Sequence, residues 1–219
     1  MLKIVVFDGG YGGELLADRL ASELPVVEIV RVIDWRNAES ILMHPKKGRQ
    51  AAEKALRPYI GKVDLIIIAN YLLSTTSLNY FRRKFRGQKF VGLRLRSRRI
   101  GVKKTTLILT TTATAKSLTF FRLAHQLRAK TVCLDSWPLM IDNGELTNDN
   151  IKGTLVSTFD KLYNFSPEQI LLLCGQFTEF IPELHQFFGR NVRIVDSFDD
   201  TIRDAYRILN IRGVPKLKS

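Results

Sequence analysis

The stretch FDGGYGG, from Phe7 to Gly13, stands between an apolar run and an amphipathic segment. The run Leu2 to Val6 predicts a β-strand, and Leu15 to Leu24 carries apolar residues at helical spacing. Glycine lets a strand turn sharply into a helix, so that backbone N–H groups and Asp8 face whatever lies above the end of the strand. The stretch therefore indicates either a ligand site or a turn whose glycines serve packing alone.

Apolar runs alternate with helical patterns along the rest of the chain. Continuous apolar strands separated by helices are typical of parallel sheets that are covered on both faces. The runs form two groups, Ile4–Phe7, Val26–Ile33, Val63–Ala69 and Phe90–Leu95, then Thr106–Leu109, Thr131–Leu134, Ile170–Leu173 and Val192–Val195. The helical patterns are Leu15–Leu24, Arg49–Ile60, Leu78–Phe85, Leu118–Leu127, Ile181–Phe188 and Thr201–Leu209. We expect an α/β fold with two sheets.

The break between the two groups falls near Arg94–Lys104, where the apolar pattern gives way to a charged connection that contains glycine. The last helical pattern is expected to return to the first group of strands. Together these features predict a first α/β domain formed by residues 1–95 and 198–219, and a second formed by residues 96–197.

Composition is that of an ordinary globular protein. At 219 residues and 45% hydrophobic, the chain can bury a sizeable core. Its apolar runs fall short of the roughly 18 residues of a spanning helix, and it starts in a strand without the apolar core of a signal peptide, so we expect a cytoplasmic protein with no membrane span. Cys133 and Cys174 lie in strand-like runs, which predicts reduced, buried, structural thiols.

Positive charge is concentrated in one part of the chain. From Leu65 to Leu134 there are 15 lysines and arginines and no aspartate or glutamate, so the other residues together carry about −2 of the net charge of +13. The density is highest in a basic band from Arg82 to Lys104.

A basic band of this kind predicts binding to phosphates, in nucleic acid, a nucleotide or anionic lipid headgroups. A solvated face and a surface for an acidic protein partner are the alternatives. The residues we expect to bind a polyanion are Arg82, Arg83, Lys84, Arg86, Arg94, Arg96, Arg98 and Arg99.

Six motifs occur in an order that resembles one enzyme family. They are FDGGYGG, IIIANYLLSTTSL (Ile66–Leu78), TTTATAKSLTFF (Thr110–Phe121), SWPL (Ser136–Leu139), LLLCGQFTEFIPEL (Leu171–Leu184) and VDSFDDTIRDAYRIL (Val195–Leu209). The corresponding motifs of the glutamate racemases, in the aspartate/glutamate racemase superfamily, are D-S-G-x-G-G, A-C-N-T-A-S, G-T-x-A-T, A-C-P-L, G-C-T-H-Y-P and I-D-S-G. The resemblance covers nearly the whole chain.

The resemblance implies two flavodoxin-like domains that face each other across a cleft. It also implies an enzyme without a cofactor or a metal, in which a cysteine thiolate on one domain removes the Cα proton of an amino acid. A second cysteine, on the other domain, returns a proton to the opposite face. This chemistry needs two acid/base groups that flank one carbon, and surroundings that favour the thiolate.

Both acid/base positions of that pattern are changed in this sequence. The first cysteine falls on Asn70 and the second on Gly175, whereas the acidic residue after the first strand is kept as Asp8. Neither Asn70 nor Tyr71 can accept a Cα proton at neutral pH. The remaining departures are Gly9 for serine, Tyr71 and Leu72 for Asn-Thr, Trp137 for the cysteine of A-C-P-L and Phe177 for histidine, while His44–Gly48 is a faint echo of a Pro-Tyr-Gly substrate loop.

Cys174 lies one residue before the second changed position. Because successive side chains of a strand point to opposite faces, a one-residue offset predicts that its thiol faces the packing layer and not the cleft. Even in the cleft, Cys174 would have no partner on the opposite domain.

Polar residues at the predicted carboxyl ends of the strands form a candidate ligand site. Each serine or threonine taken singly is better explained as a helix N-cap. As a set around one cleft they predict binding of a small anion, and the set is Asp8, Gly9, Gly10, Asn70, Ser74, Thr75, Thr112, Thr114 and Gln176.

Three interpretations follow. The leading one is a racemase-like protein that has lost racemization and binds an anion or carboxylate, or interacts with another protein. The second is a working cofactor-independent racemase or isomerase with other acid/base groups. The third is a nucleic-acid-associated protein that uses residues 82–104, and a homodimer is a candidate assembly for all three.

Overall fold

A computed structural model of the chain describes residues 1–95, 99–147, 150–162 and 164–211. It contains two four-stranded sheets in which every strand pairing is parallel. The first holds β1 (Leu2–Asp8), β2 (Val27–Ile33), β3 (Leu65–Ile68) and β4 (Phe90–Gly92), and the second holds β5 (Thr106–Thr110), β6 (Lys130–Cys133), β7 (Gln169–Leu172) and β8 (Arg193–Val195). The predicted α/β class with two parallel sheets is confirmed.

The two sheets have the same strand order. It is β2-β1-β3-β4 in the first sheet and β6-β5-β7-β8 in the second. In each sheet the order reverses between the two central strands, so the connections that leave those strands diverge to opposite faces. A crevice opens at the carboxyl ends of such strands, and this is where open parallel sheets hold their ligands.

Helices cover the sheets, and two of them have the predicted bounds. The eleven helices among the described residues are α1 (Tyr11–Glu23), α2 (Ala38–Met43), α3 (Pro45–Leu56), α4 (Tyr71–Thr76), α5 (Leu78–Lys84), α6 (Thr112–Ala115), α7 (Leu118–Leu127), α8 (Trp137–Asp142), α9 (Ile151–Phe159), α10 (Ile181–Phe188) and α11 (Phe198–Ile208). Five were not predicted, of which α2, α4, α6 and α8 are too short to establish a helical period, whereas α9 has nine residues. No helix in the described ranges is long and apolar enough to cross a membrane.

One apolar cluster joins the two sheets. It includes Ile67 of the first sheet and Ile108 of the second, together with Ile202 of α11. The same helix contacts the first sheet's elements, because the Tyr206 hydroxyl donates to the carbonyl of Glu23 at 2.6 Å. The return of the last helix toward the first group of strands is therefore visible, whereas the domain boundaries stay a prediction.

Cys133 corrects one expectation. It is the last residue of β6 and is exposed. The prediction of a buried structural thiol is wrong here because β6 lies at the edge of its sheet, where a strand is covered less completely than the central strands.

Gly13 fixes how closely α1 approaches β1. A methyl group at Gly13 would lie 2.5 Å from Asp8 Cβ and 2.8 Å from Ile33 Cδ1, both shorter than any comfortable carbon–carbon contact. The strand-to-helix turn therefore depends on glycine for packing, which was one of the two interpretations of FDGGYGG.

We expect Gly13→Ala to lower the free energy of unfolding by about 1 to 3 kcal/mol, as overpacking of a core does. The matched control is Gly153→Ala, because Gly153 is exposed within α9 and has no atom within 4 Å of an added methyl group. That control should raise stability by about 0.5 to 1 kcal/mol through helix propensity. Urea denaturation measures both, and equal effects at the two sites would contradict the close packing.

Candidate functional site

The four central strands end at one small cavity between the sheets. Its volume is about 10 Å³, enough for roughly one water molecule. The polar residues that line it are Asp8, Asn70, Thr111, Thr114, Cys174 and Gln176, which follow β1, β3, β5 and β7. The ends of strands from both sheets therefore lie together, as expected, but the space between them is very small.

Asp8 is the buried carboxyl group of this cavity. It is 3% exposed, and its Oδ1 accepts hydrogen bonds from the Gly9 N–H at 2.7 Å and from Asn70 Nδ2 at 3.1 Å. Burial raises the pKa of Asp8 to about 7, against the lowering effect of those two hydrogen bonds. At neutral pH the group is thus divided between its acid and its carboxylate.

Asn70 uses both ends of its amide for structure. Its Oδ1 accepts from the Leu73 N–H at 3.0 Å, which makes Asn70 the N-cap of α4, while its Nδ2 donates to Asp8. Nothing in this arrangement accepts a proton from carbon, because an amide has no useful basicity.

Cys174 belongs to the apolar core of the second sheet, as predicted, but it also lines the cavity, which was not predicted. Strand β7 ends at Leu172, and the alternation of side chains does not extend past the strand into the turn that carries Cys174. The thiol donates to Gln176 Oε1 at 3.1 Å and is buried, as expected. Burial, aided by the nearby Asp8, raises the pKa of the Cys174 thiol, so it stays protonated.

Contacts between the two domains close the cleft above this cavity. Gln176 Nε2 lies 3.4 Å from Asp142 Oδ1, which also accepts from the Tyr11 N–H at 2.9 Å. A methyl group at Gly12 would lie 2.9 Å from Gln176 Oε1, and one at Gly175 would lie 3.1 Å from Gly12 Cα. The loops are thus in close contact, and the cavity of about 10 Å³ beneath them is too small to hold an amino acid.

Trp137 and Phe177, which the motif comparison sets against a cysteine and a histidine, form one aromatic contact. Trp137 and Phe177 are 4% and 1% exposed, and their rings meet edge to face at 6.1 Å. Both belong to the apolar core of the second sheet. Neither side chain can transfer a proton.

The predicted ligand residues divide into two groups. Asp8, Asn70, Thr114 and Gln176 line the cavity, and Gly9 supplies an N–H to Asp8. Gly10 lies against Asp142 and does not line the cavity.

The hydroxyl groups of three further predicted residues serve local structure. Ser74 Oγ donates to the Asn70 carbonyl at 2.7 Å and Thr75 Oγ1 donates to the Leu72 carbonyl at 2.9 Å, both within α4. Thr112 Oγ1 donates to Asp135 Oδ2 at 2.6 Å. All three lie outside the cavity.

Sequence reasoning missed Thr111, Leu42 and Asp142. Thr111 is the N-cap of α6 and accepts from the Thr114 N–H. Threonine is a preferred N-cap residue, so its position just before the first residue of α6 could have revealed this role. Leu42 of α2 covers the cavity, and Asp142 of α8 reaches across from the second domain. Both lie on six-residue helices, which are too short to show a helical pattern in the sequence.

The cavity has no cationic wall. Among the described residues that line it there is no lysine, arginine or histidine, and Asp142 stands close enough to Asp8 to raise its pKa further. An anionic ligand here would meet two carboxyl groups, so it would need the proton of Asp8.

The basic band does not form one free surface among the described residues. Arg99 is buried and its Nη2 pairs with Asp199 at 2.9 Å, so it is not available to a polyanion in this structure. Arg94 pairs with Asp204 at 2.8 Å. Both acids belong to α11, whose sequence is remote from the band.

Some of the other cations of the band also have partners, and some are exposed. Lys84 Nζ donates to Glu53 at 2.6 Å, and Arg82 donates to the carbonyl of Phe90 at 2.8 Å. Arg83 and Arg86 are exposed, while Arg96 and Arg98 lie outside the described residues. Polyanion binding by the exposed members stays a prediction.

No group of three or more His, Cys, Asp or Glu side chains could hold a metal ion within the part of the chain that the structure describes.

Comparison with known proteins supports the motif-based resemblance. No family model matches the chain. The glutamate racemase of Exiguobacterium sibiricum is 21% identical over 222 residues, covering 97% of this chain and 81% of that protein. The structure of the Campylobacter jejuni glutamate racemase has a TM-score of 0.78 at 20% identity, covering 100% of this chain and 90% of the other. That of the Francisella tularensis enzyme, solved in complex with D-glutamate, has a TM-score of 0.78 at 16% identity, covering 100% and 84%.

The raised pKa of Asp8 predicts how stability depends on pH. Between the ordinary value of 3.8 and about 7, the folded protein holds a proton that the unfolded chain releases. The free energy of unfolding should therefore fall as pH rises from about 4 to about 7 and level off above that.

Asp8→Asn keeps an oxygen that can accept both hydrogen bonds and removes the titration. We expect the stability of this variant not to fall over this pH range, and at pH 8 its free energy of unfolding should exceed that of the wild type by about 4 kcal/mol, at 1.36 kcal/mol per pKa unit. Urea denaturation at pH 4 to 8 measures this, with the exposed Asp18→Asn as control. If the free energy of unfolding depends on pH in the same way for the wild type and for Asp8→Asn, then Asp8 does not have the raised pKa.

Proposed function

We propose that this chain, which has the fold of the glutamate racemases, does not racemize amino acids and binds a small carboxylate in its cleft. The observation that carries the proposal is the state of Asn70. It occupies the first acid/base position of the family pattern, and both ends of its amide are engaged, with Asp8 and with the first turn of α4.

Racemization needs one group on each side of the Cα that can take or give its proton. On one side stands Asn70, which cannot do so. On the other side Gly175 has no side chain, and the neighbouring Cys174 thiol is held protonated by burial. A thiol in that state is a poor base, so the pair that the reaction requires is missing.

The closed cleft agrees with a binding role that requires opening. Ligand pockets ordinarily measure roughly 300 to 1,000 Å³, far above the 10 Å³ found between the strand ends. Admission of an amino acid would have to separate Gln176 from Asp142 and Gly12 from Gly175. These two contacts are polar or between backbones, so they can separate locally while the apolar cluster that joins the two sheets stays packed.

A carboxylate is the ligand that the polar lining suits best. The D-glutamate seen with the Francisella tularensis relative is a dicarboxylate. In this chain the hydroxyl of Thr114, which accepts from Thr111, and the protonated form of Asp8 could donate to carboxylate oxygens. The described residues that line the cavity include no cation, so an anion can bind only when Asp8 is protonated and therefore uncharged.

A second function is favoured by one observation. Asp8 and Cys174 face the same cavity, and a carboxyl group with a pKa of about 7 is well matched to general acid/base catalysis at neutral pH. Asp8 alone could then exchange the Cα hydrogen of a bound amino acid, which makes a cofactor-independent isomerase the competing interpretation.

Hydrogen exchange separates the two functions. Incubated in deuterated water with L- or D-glutamate or aspartate, the protein should leave the Cα hydrogen in place, because neither Asn70 nor the protonated Cys174 thiol can remove it. Proton NMR of the amino acid measures this, and Asp8→Asn is the control. Exchange above the buffer rate that disappears in Asp8→Asn would refute the proposal and establish the second function.

Carboxylate binding should take up a proton. If the bound form needs protonated Asp8, the apparent dissociation constant for glutarate should rise about tenfold between pH 6 and pH 8, since the group titrates near 7. Titration calorimetry at the two pH values measures the change. Asp8→Asn should bind with no such dependence, and tighter binding of the wild type at pH 8 would contradict the role given to the proton.

A further inference from the structure

A second and much larger concavity lies at the opposite end of the second sheet. It measures about 730 Å³ and is formed by the loop before β5, the end of α7, the start of β6 and Phe165. Strands β5 and β6 begin here, at Thr106 and Lys130, whereas the cleft lies where β5 ends. The two sites are therefore separated by the length of the strands.

Four cations line this basic groove, namely Lys103, Lys104, Arg128 and Lys130. All four are exposed, and none forms an ion pair with another described residue. This distinguishes them from Arg94 and Arg99 of the basic band. The groove therefore brings together four exposed cations without an ion pair among the described residues, of which Lys103 and Lys104 end the basic band.

Two features oppose the positive charge, and both are small. Glu168 accepts from the Thr105 N–H at 2.8 Å, and this hydrogen bond, with a contribution from Lys104, lowers the pKa of Glu168 and keeps it ionised. Helix α7 ends at Leu127 and directs the negative end of its dipole toward the groove, equivalent to roughly half a charge. Four cations outweigh them.

The backbone that carries the cations is fixed. Gln169 is fully buried, and its amide accepts from the Gly101 N–H at 3.0 Å and donates to the Gly101 carbonyl and to Thr106 Oγ1, both at 2.7 Å. The loop that holds Lys103 and Lys104 is therefore pinned at both ends.

The other wall of the groove is held as well. Arg128 terminates α7 in the left-handed conformation at φ 49°, with its N–H bonded to the carbonyl of His125. Lys130 Nζ lies 5.0 Å from the centre of the Phe165 ring.

We propose that the basic groove binds a small ligand that bears two or three linked phosphate groups. Its volume falls in the range of small-molecule sites. Linked phosphates place several negative charges within a few ångströms, which matches four cations on two facing walls. Lysine supplies mobile point charges to phosphate oxygens, and Arg128 supplies a planar fork.

Tripolyphosphate is the probe, and titration calorimetry at low and moderate salt is the measurement. The wild type should bind it, and binding should weaken as salt rises. The variant Lys103→Gln, Lys104→Gln, Arg128→Gln, Lys130→Gln should bind at least about tenfold more weakly, a change of about 1.4 kcal/mol. All four side chains are exposed, so the variant should keep the wild-type melting temperature.

The matched control removes the same charge elsewhere, through Lys46→Gln, Lys47→Gln, Lys54→Gln and Lys62→Gln, four exposed lysines of the first domain. It should bind like the wild type. Equal losses in both variants would mean that net charge alone attracts the probe, and absence of binding to the wild type would overturn the proposal outright. Binding to a DNA duplex without binding to tripolyphosphate would also overturn it, in favour of a nucleic-acid surface. None of these outcomes depends on Asp8 or on the cleft.

Discussion

The approach of Gly12 to Gly175 governs the state of the cleft. Any side chain at either position would push the loops apart, since an added methyl group at Gly175 would already lie 3.1 Å from Gly12 Cα. With the loops in contact, Asp8 loses its access to water and its pKa rises. Closure thus sets both the size of the cavity and the chemistry of its carboxyl group, and neither can change without the other.

Most of the fold could be predicted from the sequence, because buried parallel strands are continuous apolar runs and all eight of them were recognisable. Side-chain direction was predictable only inside regular elements. Cys174 lies beyond the end of β7, where the turn decides its direction, and Cys133 lies on an edge strand that a linear pattern cannot tell from a central one. Asp142 reaches the site only through tertiary contacts with Tyr11 and Gln176, so its part in closing the cleft could not be read from the sequence.

The charges show the same limit. Counting residues locates an excess of cations but cannot say which of them have partners. The acids that neutralise the basic band, Glu53, Asp199 and Asp204, lie far from it in sequence and reach it only through folding. Which of the described cations remain unpaired is therefore set by the whole structure, and four of them, Lys103, Lys104, Arg128 and Lys130, lie together at the start of the second sheet.

Asn70 has a consequence for how such a protein can evolve. One amide caps α4 and holds Asp8, so replacement by cysteine would remove a cap worth about 1 kcal/mol and one donor to a buried carboxyl group. The loss of stability would follow from this single substitution, whereas proton transfer at the Cα would also need changes at Gly175 and Phe177. A change to cysteine at Asn70 would therefore begin with a loss of stability, and selection that acts on single substitutions would oppose it.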